Sequence, residues 1–406
     1  MDRNMYEERR KRLKQKRRRS CLGVFLTLLT VVLVPLIVMT VYFKFYKPDG
    51  NDKILKETAT DEYGNVIEIT HKLEAVEDEY NVLVLGHDKD AKLTDVVMLV
   101  NVNNNDRRLT VMQIPRDTYF GGKSAPTASV DKVNEVFVTY YNGYRKNGES
   151  VEISYKLALG DTKKLFSDAI SVNIDFAAIM DLAGFRNIVD AIGGVEINVP
   201  TPLVYYDEDQ DLAINIPSGL QTLDGETAEG FVRFRKGYTQ ADMGRINAQK
   251  LFMNAFLKKL RSKVSITDVS LITKLAREVS ANTVTDMGVD DMVYFAKNVL
   301  GYDMSSVSML TLPSQTYGKY VVMNREATLD VINKYFNTFD KKITDGIFDV
   351  ELLFCNSSDS SMSTKYYDSP DNLFDGNVYV GDGMEDNVII PMDKEYLEDI
   401  RKETDK

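Results

Sequence analysis

The chain has 406 residues, 44% hydrophobic and 27% charged, with a net charge of −11. That length suits one large or two modest domains with a sizeable core, and the composition is that of a globular protein. The charge is uneven: residues 1–20 hold ten Lys/Arg against three carboxylates, a net +7, so residues 21–406 carry −18, which argues against nucleic acid as the main partner.

Residues 1–20 read as a basic cytoplasmic tail. Cys21 to Phe43 follows, 23 residues without a charge; as a helix it would be about 34 Å long, enough to span a bilayer core. The Lys/Arg excess before it predicts a cytoplasmic N-terminus and an outward-facing body. A cleaved signal peptide is the rival reading, but its apolar region is normally shorter, and no small-x-small site follows Phe43. Cys21 and Cys355 fall on opposite sides of the predicted membrane and cannot pair within one chain. A surface protein without disulfides fits a Gram-positive bacterium.

Residues 44–79 read as an extracellular stalk with one hairpin near Tyr63-Gly64-Asn65. Residues 81–86 (NVLVLG), 96–102 and 109–115 are short apolar runs that predict strands, the last two joined by a polar hairpin turn. Segments 151–169 and 175–191 show helical spacing, the second through Phe176, Ile179, Leu182, Arg186 and Val189. Gly193-Gly194 closes that helix before a strand at 195–200. The acidic stretch Tyr205–Asp211 reads as a solvated loop. FVRFR (231–235) reads as a strand, and an amphipathic helix covers roughly Asp242 to Leu260. Alternation continues to about Phe336. The expected fold is α/β, three layers α-β-α around a central mixed β-sheet, preceded by one transmembrane helix. Residues 80–340 form its main domain and 341–406 a C-terminal extension of unknown role.

Chemistry concentrates in arginines and carboxylates at strand ends. Arg116-Asp117 follows the strand that ends at Pro115. On a strand, Arg233 and Arg235 would share one face. Two like charges there need an anionic partner, either protein carboxylates or a phosphate ligand. Arg245 and Gln249 are four apart on a helix, Asp242 sits in its first turn, and Gly244 permits a ligand or backbone to approach closely. Guanidinium groups match phosphate oxygens through paired hydrogen bonds, so this set makes a candidate pyrophosphate clamp. Asp88 and Asp95 flank the loop after the first strand. Two carboxylates beside phosphates suit a hard divalent cation such as Mg²⁺. His87 reads as a polar loop residue.

Taken together, these segments resemble the LytR-CpsA-Psr family. NVLVLGHDKD…LTDVVMLVNV is similar to that family's opening strand, Asp-containing loop and second strand. LTVMQIPRDTYF is close to its Ile-Pro-Arg-Asp-Thr signature, and KVNEVFV (132–138) to the segment that follows. DFAAIMDLAGFRNIVDAIGGVEINVP and SGLQTLDGETAEGFVRFRKGYTQADMGRINAQ resemble its later blocks, in order, over about residues 80–260. The resemblance implies an extracellular phosphotransferase. It would move an anionic glycopolymer, of teichoic acid or capsular type, from a polyprenyl-pyrophosphate carrier to peptidoglycan, with Mg²⁺ or Mn²⁺ bound. Asp88 and Asp95 would hold the metal, and Arg116, Arg233, Arg235, Arg245 and Gln249 the pyrophosphate. Arg116, Asp117 and Asp242 would serve catalysis, with Asp117 and Asp242 as unranked candidates for the base. A long apolar tunnel for the polyprenyl tail is also implied. Departures from the family pattern include Thr94-Asp95-Val96 for Ser-Asp-Thr, His87 and Lys89 in the first loop, and Ala248 for an arginine that Lys236 or Lys89 would have to replace. A non-catalytic polyprenyl-phosphate or wall-polymer binding protein, or a polyprenyl-pyrophosphate phosphatase, are the alternatives.

Overall fold

The computed structural model describes residues 46–48, 53–60, 66–87, 93–119, 130–207, 212–239, 241–344, 379–380, 384 and 390–404. The expected membrane span at 21–43, the basic tail, both cysteines, Asp88 and Lys89 lie outside them. Among the described residues no helix is long and apolar enough to cross a membrane. Residues 49–406 form one unit.

β1 (Lys53–Thr60) and β2 (Val66–Leu73) form an antiparallel hairpin where one was expected. The three apolar runs become β3 (Glu79–His87), β4 (Thr94–Asn103) and β5 (Arg108–Ile114). Two helices follow, α1 (Val136–Lys146) and α2 (Val151–Ala169); Ser150 caps the second by accepting from the Ile153 amide.

The segment 175–191 is not one helix. Phe176–Asp181 is β6, paired in parallel with β3, and only Leu182–Ala191 is helical (α3). Phe176 and Ile179 satisfy a helical period, but five of the six residues in this run are apolar and the run pairs with a buried strand. Asp181 then ends it, its side chain accepting from the Gly184 amide at 2.8 Å as the helix cap. Gly193 and Gly194 close α3 with φ of +79° and +78°, and a Cβ on Gly194 would lie 2.8 Å from the Leu223 carbonyl oxygen.

β7 (Val195–Val199), β8 (Leu203–Asp207), β9 (Leu212–Ile216) and β10 (Gly219–Leu223) make two small antiparallel pairs, β7 with β10 and β8 with β9. Tyr205–Asp207 therefore belongs to a strand rather than to a solvated loop, because Leu203 packs inward and alternation carries the run.

FVRFR is also not a strand. Gly225–Arg233 is helix α4, and Phe234 leaves it with extended backbone. Asp224 caps this helix through the Thr227 amide at 2.9 Å. Capping and the helix-forming run that follows override the alternation of Val232 and Phe234 with the arginines. The predicted helix is present as α5 (Ala241–Lys263), but it is not amphipathic: Met243–Ala248 are buried without a break, and its apolar residues pack into two cores, Phe252 and Leu260 into one, Leu251 and Leu257 into the other. Then come α6 (Val269–Ala281), β11 (Val284–Thr285), α7 (Val289–Leu300), β12 (Val307–Thr311), the hairpin β13 (Ser314–Tyr317) and β14 (Tyr320–Met323), α8 (Arg325–Tyr335), β15 (Tyr379–Val380) and α9 (Lys394–Thr404).

Among the described residues, seven strands form the central sheet in the order β11-β6-β3-β4-β5-β12-β15. It is mixed: β6/β3 and β5/β12 are parallel and the other neighbours antiparallel. Strand alternation splits the core. Leu83, Leu85, Val97, Leu99 and Met112 pack with α1, α2 and α8 on one face. Tyr80, Val102, Leu109 and Val111 pack on the other with α7 and the partly buried side of α5. Helices on both faces explain why the central strands read as near-continuous apolar runs.

Candidate active site

Antiparallel pairing of β4 with β5 puts Val97 opposite Ile114, so the start of β4 and the end of β5 emerge together. Asp95 and Arg116 meet there, Arg116 NH1 donating to Asp95 Oδ1 at 2.6 Å. Arg116 Nε donates to Asp242 Oδ2 at 3.2 Å and lies 3.6 Å from Asp117 Oδ2. Asp117 also holds Lys132 Nζ at 2.6 Å. Asp242, in the first turn of α5, further accepts from Arg245 NH2 at 3.1 Å and Arg235 NH1 at 3.4 Å. One carboxylate thus gathers three guanidiniums from three separate parts of the chain.

Electrostatics within the cluster are unequal. Burial works to raise the Asp242 carboxyl, but Arg245, Arg116 and Arg235 together outweigh it and hold the group below the usual carboxylate range. Burial opposes the Arg116 charge, yet Asp242, Asp95 and Asp117 outweigh it and hold its pKa above the ordinary arginine value. At Arg245 burial wins: only 7% of the residue is exposed, and its pKa is lowered despite Asp242. Its Nε–H has no hydrogen-bond partner among the described residues. A buried, charged donor left unmade is costly, which marks a place where a ligand acceptor would be rewarded.

Gln249 lies one turn along α5. Its amide donates to the Val232 carbonyl at 3.0 Å and accepts from Gln113 on β5, tying α4, α5 and the sheet together. Arg233 is not on Asp242. It ends α4 and pairs with Glu229 at 2.7 Å, whose other oxygen lies 3.3 Å from Arg186. That Glu229–Arg233 spacing of four is visible in the sequence only when the segment is read as a helix. Lys132 was legible only as part of the KVNEVFV segment. The close approach that Gly244 permits is by Tyr238, since a Cβ on Gly244 would lie 2.4 Å from the Tyr238 Cβ. Ala248 is fully buried in the core, and Lys236 Nζ sits 5.2 Å over the Tyr205 ring. His87 is not a loop residue: it ends β3, is 5% exposed, stacks on Phe137 and lies 3.3 Å from the Tyr155 hydroxyl.

For a metal, Asp95 supplies one hard carboxylate at the cluster. Among the described residues no three His/Cys/Asp/Glu groups stand close enough to hold an ion. One carboxylate with phosphate oxygens and water still suits Mg²⁺, which rarely has an all-protein cage.

A cavity of about 310 Å³ lies between the sheet and α5, α6 and α7. Val84 and Val100 from the sheet, Phe256 and Leu260 from α5, Leu275 from α6 and Phe295 from α7 are among its walls. The helix α5 joins the two features: Arg245 and Phe256 are eleven residues apart, about 16 Å along the axis.

The profile of the LytR_cpsA_psr family matches residues 41–342. The cell wall biosynthesis protein LcpA of Corynebacterium glutamicum is 28% identical over 302 residues, 70% of this chain and 54% of that protein. The polyisoprenyl-teichoic acid–peptidoglycan teichoic acid transferase TagU of Oceanobacillus iheyensis is 28% identical over 231 residues, 55% of this chain and 64% of that protein. This chain thus spans between about half and two thirds of these relatives. The LytR-Csp2A-Psr enzyme from Actinomyces oris shares the fold, with a TM-score of 0.50 and 19% identity, over 72% of this chain and 97% of that one.

Proposed function

The chain belongs to the LytR-CpsA-Psr family, and from that premise we propose that it is a phosphotransferase of the cell surface. It takes an anionic glycopolymer, of teichoic acid or capsular type, from a polyprenyl-pyrophosphate carrier and joins it through a phosphodiester to peptidoglycan. The observation that carries this reading is the buried Arg245 guanidinium. Its Nε–H is unmatched among the described residues, it sits in a cluster of three arginines, and the helix that bears it runs on to line an apolar cavity. An amphipathic ligand with a diphosphate head and a hydrocarbon tail suits both ends of that helix.

In the proposed reaction the acceptor hydroxyl attacks the phosphorus nearer the polymer, and its proton passes to Asp117, the other candidate base, or to water. The bond to the bridging oxygen breaks, and polyprenyl phosphate leaves with the bonding pair. Arg116, Arg235 and Arg245 hold the diphosphate and stabilise charge that grows on it, while Arg233 is engaged by Glu229. Asp242, held below the usual carboxylate range, is a weak proton acceptor and serves as the anchor that orients the arginines. Asp95 and Asp88 would hold Mg²⁺ or Mn²⁺, which would neutralise charge on the leaving group. Residues 21–43 would anchor the chain in the membrane with the body outside, where carrier lipid and peptidoglycan are both within reach.

The test uses purified protein, Mg²⁺, a polyprenyl-pyrophosphate-linked oligosaccharide and peptidoglycan. Polymer should appear on peptidoglycan, and Arg116→Ala or Asp95→Ala should abolish its transfer. Turnover equal to wild type in both variants would remove the assignment. Ala248 stands where the family pattern has an arginine, Lys236 is engaged over the Tyr205 ring and Lys89 lies outside the described residues; this departure favours a second reading, a non-catalytic polyprenyl-phosphate binder, which predicts binding without turnover. Polymer released into solution instead of onto peptidoglycan would indicate a phosphatase.

A further inference from the structure

The matched family region ends at residue 342, yet residues beyond it touch the arginine cluster's scaffold. After β15 has joined the sheet beside β12, the chain crosses the connection between α4 and α5. The Thr239 amide donates to the Pro391 carbonyl at 2.9 Å and the Asp393 amide to the Gly237 carbonyl at 2.8 Å. Met392 and Tyr238 form an antiparallel bridge between them. Asp393 then starts α9, accepting from the Tyr396 amide at 3.1 Å. This cap fixes the Tyr396 ring edge-on to Phe234, 5.6 Å between centroids. The Tyr396 hydroxyl donates to the Pro202 carbonyl at 2.9 Å and accepts from the Val204 amide at 2.9 Å. The ring also fills the niche above Gly237, where a Cβ would lie 2.8 Å from Tyr396 Cδ1.

The connection so held carries two parts of the clamp. Arg235 lies between Phe234 and Gly237 and reaches Asp242. Tyr238 packs on Gly244, the residue before Arg245. Resting on the proposed diphosphate chemistry, we infer that residues 391–396 buttress the anion site, and that Tyr396 is a positioning residue for Arg235. Here three consecutive residues of the segment, 391–393, pair with the backbone of residues 237–239, and one ring occupies a niche that glycine leaves open.

The experiment titrates inorganic pyrophosphate into the full chain by calorimetry, well below the unfolding midpoint. Variants are Tyr396→Ala, Tyr396→Phe, Arg235→Ala and the Tyr396→Ala/Arg235→Ala double. Tyr396→Ala should weaken binding about tenfold, and Tyr396→Phe, which keeps the ring, only about two- to fourfold. In the double variant the two losses should fall well short of adding, because Tyr396 acts through Arg235. Wild-type affinity in Tyr396→Ala, or fully additive losses, would overturn the inference while leaving the proposed function standing. If Tyr396→Ala does not fold, Tyr396→Phe carries the test: unchanged affinity in it overturns the inference. Wild-type protein that fails to bind pyrophosphate overturns the proposed function and this inference with it.

Discussion

Arg245→Lys separates a ligand-binding arginine from a structural one. The wild-type side chain is buried, bonds Asp242 through NH2 at 3.1 Å and leaves Nε–H without a partner among the described residues. A lysine keeps the charge toward Asp242 but has no fork and no Nε–H donor. An unmade buried donor costs about 1–3 kcal/mol, so its removal should leave ligand-free stability within about 1 kcal/mol of wild type or slightly above it. The bound state should lose a hydrogen bond to a charged acceptor, about 1.5–3 kcal/mol, or roughly 10- to 150-fold in Kd for pyrophosphate. Urea titration reads the first quantity and calorimetry the second. Linkage supplies a cross-check: a ligand at about 100 times its Kd stabilises the wild type by about 2.7 kcal/mol, and at the same concentration the variant should keep only about 0.3–1.4 kcal/mol of that gain. Unchanged affinity together with lost stability would show that Arg245 serves only to hold Asp242, and would refute the reasoning.

Asp242→Asn should lower stability at neutral pH. Because the folded carboxyl titrates below its unfolded value of about 3.9, its contribution is complete above about pH 4 and is lost as pH falls through the folded pKa. Urea midpoints of variant and wild type should therefore draw closer as pH falls below about 4, and a gap that does not narrow there would contradict this. Ala276→Trp, on the cavity wall, should abolish binding of a polyprenyl-linked donor while leaving pyrophosphate affinity within about twofold; overpacking costs about 1–3 kcal/mol. Unimpaired turnover on the lipid-linked donor would exclude the cavity as the tail's site. Gly244→Ala should destabilise by about 1–3 kcal/mol through collision with Tyr238, and an unchanged unfolding midpoint would show that the helix start can shift freely.

Local chemistry made much of this protein readable in one dimension. Short apolar runs bounded by polar turns specify β3, β4 and β5, because strands covered on both faces need apolar side chains on both. The helical run after residue 241 and the glycine pair after α3 are equally local. Residues 176–181 form a strand and 231–233 end a helix against the reading from sequence, because a six-residue apolar run fits both periods and five residues of FVRFR alternation are too short to outweigh a helix cap; what decides is the pairing partner in one case and the cap in the other. Which charges meet is a different matter. Arg116 and Asp242 are 126 positions apart, and no spacing rule links them. Ion pairing acts through distance in space, so the arrival of Arg116 at Asp242 and the seating of Tyr396 above Gly237 were decided only when the sheet and helices brought those segments together, whereas Arg245–Asp242 and Arg233–Glu229 are pairs within single helices, set by local spacing once the helices form.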